Sequence, residues 1–434
     1  MLTPEENATV TRVGPGTPMG EVFRRYWLPA LLSSDLVADD DPRPLRLLGE
    51  DLVAFRDTDG RVGVLDERCC HRQASLLLAR NEACGLRCIY HGWKFDVEGA
   101  VVDAPNVKGG LRRMTARAYR VREAAGLIWV YLGAEDQEPP FPAFNFMNVD
   151  EPNRVVLRND LDCNWLQIME GGLDASHVGV LHDDQDPLSA GRERASYDNS
   201  PTIVVENTAF GYHYAAIREL EQPEGEDPLR WIRVQTFAVP NVTMVSGGAT
   251  ASFTFFYVPY DDEHTGYFMC RWDDRAPVDV DSIRDWTGFH APGYFSGDHF
   301  DGDRSNRWLQ DRAAMRAGDG AEVTSFSGYH GRVSVEDYAV DLSMGPILDR
   351  SRERLVPADL AVIRARKLLL EAARQVQEGR EPASLRVDTS QIHVADAVVP
   401  ADTPWQSLVA GNLAAGHEVS SADVEVPGGA GAAG

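Results

Sequence analysis

The sequence has little positive charge. Lys and Arg total 42 against 67 Asp and Glu, a formal net charge of -25 at pH 7. Such a surface repels phosphate backbones and anionic lipid head groups, so nucleic acid and membrane surfaces are excluded as general partners. Cysteine is scarce too. Six in 434 residues do not make a disulfide scaffold. Long hydrophobic runs are missing: the longest strongly apolar stretch, 127–132, falls far short of the roughly 18 residues of a membrane span. No basic segment followed by an apolar run opens the chain, so no secretory signal is visible. The expectation is a soluble, cytoplasmic protein with reduced thiols. The rest is ordinary for a globular protein. Hydrophobic residues make up 43% and aromatics 9%, which excludes dominant disorder. A length of 434 residues corresponds to two or three domains.

Residues 17–27, TPMGEVFRRYW, read as a short helical entry. β-type runs follow at 45–48, 52–56, 62–65, 89–95 and 127–132, separated by turn signals such as Asp57-Thr58-Asp59-Gly60. They predict a small all-β domain over 40–135. Pro139, Pro140 and Pro142 mark a linker, because proline neither donates to a ladder nor continues a helix. Beyond it the pattern is mixed. A helix is expected over 161–181, strands at 202–207, 210–217, 231–239 and 250–257, and helices at 282–290, 303–316 and 358–378. Strands followed by helices in one block predict an α+β domain with an antiparallel sheet. The acidic runs at 39–41, 183–186 and 261–263 read as solvated loops. The closing GGAGAAG reads as disordered.

The strongest chemical signal lies in RCCHRQASLLLARNEACGLRCIYHGWKFD. Cys69 and His71 form one Cys-x-His pair, and Cys88 and His91 one Cys-x-x-His pair. Two loops, each donating one thiolate and one imidazole, suit a Rieske [2Fe–2S] cluster, in which two cysteines hold one iron and two histidines the other. Zinc is the competing reading, but zinc pairs usually space their ligands by two to four residues, and Cys-x-His is tighter. Cys70 should point away from the metal, as alternation in an extended loop demands. With Cys84 it reads as an inert packing residue.

A second signal lies in CNWLQIMEGGLDASHVGVLHDD. Glu170, Asp174 and His177 stand at i, i+4 and i+7 and would share one face of a helix. His182 lies about 140° away on a straight helix. For His177 and His182 to bind one metal the helix must bend or break between them, and Gly179 lies there. Two histidines and one carboxylate form the ligand set of non-haem Fe(II) oxygenases. On spacing alone the two histidines could equally be satisfied structural residues.

Together the two constellations resemble the large (alpha) subunit of Rieske non-haem iron aromatic ring-hydroxylating oxygenases, phthalate dioxygenase type. TPMGEVFRRYWLP is similar to that group's entry segment, and VEDYAVDLSMGPILDRSRERL to its C-terminal block. The resemblance implies a small all-β Rieske domain beside a catalytic α+β domain of the helix-grip type, divided here as 1–26, 27–137 and 143–425 with a tail at 426–434. It implies Cys69, His71, Cys88 and His91 as cluster ligands and His177, His182 and Asp337 as ligands of a mononuclear Fe(II). Glu336 and Asp341 stand close enough to Asp337 to be mistaken for it. It implies a homotrimer or hexamer in which Asp174 bridges His91 of one subunit and His177 of the next. It also implies a flavin or iron–sulfur reductase, or a ferredoxin, as electron donor.

The expected chemistry is dioxygen activation for dihydroxylation, hydroxylation or oxidative demethylation of an aromatic substrate. Arg218 and Arg233 are candidate anchors for a substrate carboxylate, since Arg binds carboxylates bidentately. They could also pair with structural acids. Phe253, Phe255 and Phe256 read as core rather than pocket. Two other readings compete. A pure electron carrier is opposed by the long chain beyond the cluster. A relative that has lost its iron is opposed by the intact set of His177, His182 and Asp337. Departures from the resemblance are Cys70 where relatives carry Pro, Gln73 where they carry Gly or Arg, and Met344 where they often carry Gln.

Overall fold

The computed structural model describes residues 1–108, 114–182, 199–247, 250–317, 325–409 and the strand Glu418–Ser420. The acidic run at 183–186 and the tail at 426–434 lie outside the described residues.

The N-terminal third is built from short strands. Arg43–Leu47, Glu50–Arg56 and Val62–Asp66 form one antiparallel sheet. Arg80–Asn81, Leu86–Arg87, Lys94–Phe95 and Val101–Asp103 form a second. Trp27–Leu32, Leu127–Tyr131 and Arg120–Ala124 form a third. The two-residue side-chain period of a strand feeds two cores from one element. Val53 and Phe55 join Leu65, Leu86, Trp93 and Phe95 in a small core around Cys69 and Cys88. Leu52 and Ala54, on the other face, join the large core of the rest of the chain. The whole Leu127–Tyr131 strand is buried in that large core.

The C-terminal two thirds hold one large sheet. From one edge its strands are Phe295–Ser296, His299–Phe300, Arg154–Leu161, Thr265–Asp273, Ala251–Pro259, Val242–Ser246, Leu229–Ala238, Gly211–Leu220, Thr202–Asn207 and Glu418–Ser420. Every pairing is antiparallel except that of Arg154–Leu161 with His299–Phe300. The Leu229–Ala238 strand is shared: its end pairs Val242–Ser246 and its start pairs Ala395–Pro400. Both faces are covered, so the central strands are buried almost throughout rather than alternating. Three helices cover this sheet: Trp165–Leu173 packs on it and on both Val333–Ser343 and Leu360–Gln377, Leu360–Gln377 packs on it directly, and Val333–Ser343 meets it through Tyr338. Trp165 is fully buried and meets Phe23 edge-on at 4.9 Å, tying the N-terminal helix Pro18–Phe23 to the first of them. The long helix ends where Gly379 takes φ 75°, a conformation that favours glycine. Among the described residues no helix is long and apolar enough to cross a membrane.

Several sequence expectations differ from the structure. The helix expected over 161–181 is a strand end at Leu161, a helix Trp165–Leu173 and a second short helix Val178–Leu181. The break falls at Asp174, with φ -82° and ψ 115°, and not at Gly179. Of the run 89–95 only Lys94–Phe95 is strand, because Cys88–Trp93 closes as a loop through Cys88 N to Trp93 O at 2.8 Å. Over 303–316 only Arg312–Arg316 is α-helical. Left-handed residues at 307–309 interrupt the stretch. The strands Arg154–Leu161, Val242–Ser246, Thr265–Asp273 and Ala395–Pro400 were not anticipated. Charged residues break the apolar pattern of three of them, Val242–Ser246 is short, and partner strands decide their state instead.

Candidate active site

The two loops of the first constellation have the same construction. In each, the cysteine N–H donates to the carbonyl five residues on: Cys69 to Ala74 at 2.9 Å and Cys88 to Trp93 at 2.8 Å. In each, the carbonyl of the cysteine accepts from the residue four on, Gln73 or Gly92. Both of those residues are left-handed, with φ 63° and 76°. Cys69 and Cys88 are buried at the core side, and His71 and His91 stand half-exposed with ring centroids 4.5 Å apart. Trp93 stacks flat on His71 at 4.5 Å. Burial, then the nearby Cys88, pushes the Cys69 thiol up to about 11. A thiolate there needs a cation beside it, which an iron–sulfur cluster supplies. Burial and the charges of His71 and Arg72 hold the His91 imidazole below its usual value, in the neutral form that binds metal. Cys70 is exposed rather than packed, and Cys84 is half-buried at φ 60°. All six cysteines are free.

The second site joins three separate segments. His177 caps the Val178–Leu181 helix and His182 follows it, while Asp337 comes from the Val333–Ser343 helix. His177 Nε2 and His182 Nε2 are 3.3 Å apart, and both face Asp337 Oδ1, at 3.5 and 3.2 Å. One ligand atom from each residue lies within 4.8 Å of the others. The outer ring nitrogens are also engaged. His182 Nδ1 lies 2.6 Å from Glu336 Oε2, and His177 Nδ1 lies 3.7 Å from Asp174 Oδ2. Ser327 donates to the other oxygen of Glu336, and Ser176 donates to Asp174 through its N–H and its hydroxyl, both at 2.7 Å.

The electrostatics suit a divalent cation. Burial lowers the His177 imidazole, but Asp174 and Asp337 outweigh it and carry it up to about 10. His182 is likewise opposed by burial and raised to about 9 by Asp337 and Glu336. Burial would raise Asp174, yet the nearby His177 imidazole and the bonds from Ser176 hold it at about 2. Asp337 is also held far below the usual carboxylate range, against burial, by the two imidazoles. Two protons shared among two imidazoles and three carboxylates are what one divalent ion would replace.

The site opens into a pocket of about 120 Å³. Arg233 and Gln235 reach it from the Leu229–Ala238 strand, and Phe253, Phe255 and Tyr257 from the neighbouring Ala251–Pro259 strand. Phe253 and Phe255 stack at 5.7 Å, so both are pocket wall rather than core alone. Phe256 lies on the opposite face. Gly172 permits the close approach of the Trp165–Leu173 helix to the sheet, since a Cβ there would run into the Tyr257 hydroxyl.

The candidates separate accordingly. The structure brings together Asp174, His177, His182, Asp337 and Arg233. Glu170 does not share their face, because the helix has ended at Leu173. It is buried and clamped by Arg350 and Arg366, at 2.9 and 2.6 Å. Arg218 does not line the pocket. Its Nη2 donates to the Ala175 carbonyl at 2.8 Å, which braces the turn between Asp174 and His177, and its guanidinium lies 4.9 Å over Trp231. Asp341 lies against Gly171 instead. Sequence reasoning missed Glu336 as the partner of His182. Its one signal was its place beside Asp337.

Residues 26–119 match the Rieske [2Fe-2S] domain, and residues 130–426 match the LigXa C-terminal domain like family. The architecture and these matches define an iron–sulfur protein with a second, catalytic iron domain. The oxygenase subunit of phthalate 4,5-dioxygenase from Pseudomonas putida is 36% identical over 430 residues, 94% of this chain and 95% of that one. The oxygenase subunit of 3-chlorobenzoate-3,4-dioxygenase from Comamonas testosteroni is 36% identical over 405 residues, 86% and 89% of the two chains. A solved structure, the NdmA QL mutant of Pseudomonas putida CBB5 with caffeine, superposes with a TM-score of 0.58 at 20% identity, over 89% of this chain and 99% of that one. The chain belongs to the Rieske non-haem iron oxygenase alpha subunits. It is an oxidoreductase with a Rieske [2Fe–2S] cluster and a mononuclear iron as cofactors.

Proposed function

We propose that this terminal oxygenase acts on a small aromatic acid. The observation that carries the reading is the pocket: three convergent ligand atoms, aromatic walls and a buried guanidinium in one lining. Two curated relatives named above act on phthalate and chlorobenzoate, both aromatic acids.

His177, His182 and Asp337 hold the iron in this reading, and Cys69, Cys88, His71 and His91 hold the cluster. When bound, the cluster supplies electrons and the iron supplies dioxygen activation. Glu336 and Asp174 each keep a proton on the outer nitrogen of an imidazole, which leaves both Nε2 atoms to face the metal. Phe253 and Phe255 pack against the ring of the substrate, and Tyr267, Met269 and Trp286 help exclude water. Arg233, only 4% exposed and 3.9 Å from Asp396, orients the carboxylate. Asp174 is part-exposed beside His177, where it can reach His91 of a second copy in a trimer or hexamer. A separate reductase or ferredoxin feeds the cluster. The division 27–137 and 143–425 assigns one metal to each part.

The test uses the holoenzyme and its Arg233→Met variant, titrated with benzoate and with toluene. Losing a hydrogen bond to a charged group costs on the order of 1.5–3 kcal/mol. Benzoate should therefore bind about 10- to 100-fold more weakly to the variant, with toluene unchanged. An equal loss for both compounds would remove the carboxylate role.

A further inference from the structure

A second cavity lies on the other face of the large sheet. The Ala251–Pro259 strand divides the two spaces. Phe253, Phe255 and Tyr257 line the iron-side pocket and Phe256 lines the other cavity, as the alternation of a strand requires. Its volume is about 340 Å³, against about 120 Å³ for the iron-side pocket. Three segments close it over the sheet: the first residues of the Trp27–Leu32 strand, the 139–144 linker and the stretch 384–392 that follows the long helix. Nothing in the proposed reaction uses it.

Its wall is aromatic. Trp27 meets Phe141 edge-on at 5.3 Å, and Phe144 meets Phe256 at 5.2 Å. Phe210 and Ile392 add further apolar surface. Polar groups of the lining are already paired within the protein. The Tyr26 hydroxyl bonds Ser384 at 2.7 Å, Thr389 Oγ1 accepts from Ala143 N at 2.7 Å, and Asn241 Nδ2 donates to the Tyr257 carbonyl at 2.9 Å. The two charged lining residues, Arg386 and Asp388, are exposed and opposite in sign. They sit at the mouth and offset each other, so the interior holds no charge to recognise an ion.

We propose that this cavity is a binding site for an uncharged aromatic molecule of one or two rings, separate from the iron-side pocket. An apolar cavity of roughly 150 Å³ already takes up a benzene, and small-molecule sites of roughly 300–1,000 Å³ gather at domain junctions. A ligand here contacts the linker, the sheet and the 384–392 stretch at once, so it binds the folded chain alone and raises its melting temperature.

Fluorobenzene is the probe, followed by fluorine NMR on the holoenzyme. Native protein should show two saturable sites. Ala238→Trp fills the new cavity and Met269→Trp fills the iron-side pocket, and each should remove one site, with at least a tenfold loss of affinity there. Val242→Phe replaces Ala238→Trp if the latter loses the visible absorbance of the cluster. A single native site abolished by Met269→Trp, or no change in the number of sites with either cavity-filling variant, overturns the proposal. No saturable binding does so as well. A failed Arg233→Met test would leave this result untouched, because the probe carries no carboxylate.

Discussion

With His182 as an iron ligand, as proposed, Glu336 should set how tightly the iron is held, and Glu336→Gln isolates its charge. The side chain is fully buried between two partners, His182 Nδ1 at 2.6 Å and the Ser327 hydroxyl. Gln has the same shape. Its carbonyl oxygen can still accept from His182, and its amide can donate to Ser327, whose hydroxyl rotates to accept. What disappears is the charge on the acceptor. A charge-assisted hydrogen bond is roughly twice as strong as a neutral one of about 1 kcal/mol. The imidazole facing the metal therefore loses on the order of 1–1.5 kcal/mol, about tenfold in iron affinity, at the lower end of the 10- to 100-fold typical of such partners. Glu336→Ala also leaves His182 unpaired and opens a void, so its loss should reach about 100-fold. The assay is competition for Fe(II) against a chelator, with the visible absorbance of the cluster as internal control. Equal iron affinity in native protein and Glu336→Gln would refute the reasoning.

Iron binding should depend steeply on pH. His177 and His182 carry protons up to about 10 and 9 in the metal-free protein, and the metal must displace both. Apparent affinity should fall by up to about 100-fold per pH unit below 9, two protons per ion, and a flat titration contradicts this. The sign for stability is opposite. Both values are raised on folding, so the metal-free protein has the full benefit below about pH 6.5 and loses it as pH rises through about 9 and 10, which thermal melts would show. Gly172→Ala forces a methyl onto the buried Tyr257 hydroxyl, itself bonded to Thr243 at 2.8 Å. Overpacking of this kind costs about 1–3 kcal/mol, so chemical denaturation should show that loss. A variant as stable as the native chain would show that the helix can shift freely.

The cluster loops were legible because all four candidate ligands lie within one short stretch, and ligand chemistry restricts residue types at fixed spacing. The iron site was legible only in part. His177 and His182 sit near each other in sequence, but Asp337 arrives from more than 150 residues away, and only resemblance pointed to it. Which of Glu336 and Asp337 faces the two Nε2 atoms is a matter of about 100° of helix rotation, and only tertiary packing fixes it. The break at Asp174 was misplaced at Gly179, because glycine is a breaker signal while Asp174 is held extended by its own bonds to Ser176. Arg218 and Arg233 looked alike in sequence. The register puts both on one face of the sheet, two residues apart along it: Arg233, opposite Ala216, reaches the pocket, whereas Arg218, opposite Trp231, donates to the Ala175 carbonyl.

The most direct measurement of the central claim is iron per chain in Asp337→Ala, read together with the visible spectrum. Native protein should hold about three irons, two in the cluster and one at the His177, His182 and Asp337 site. The variant should hold about two, with the cluster absorbance unchanged and oxygen uptake lost. Three irons retained in the variant, or loss of the cluster absorbance with Asp337, would contradict the account.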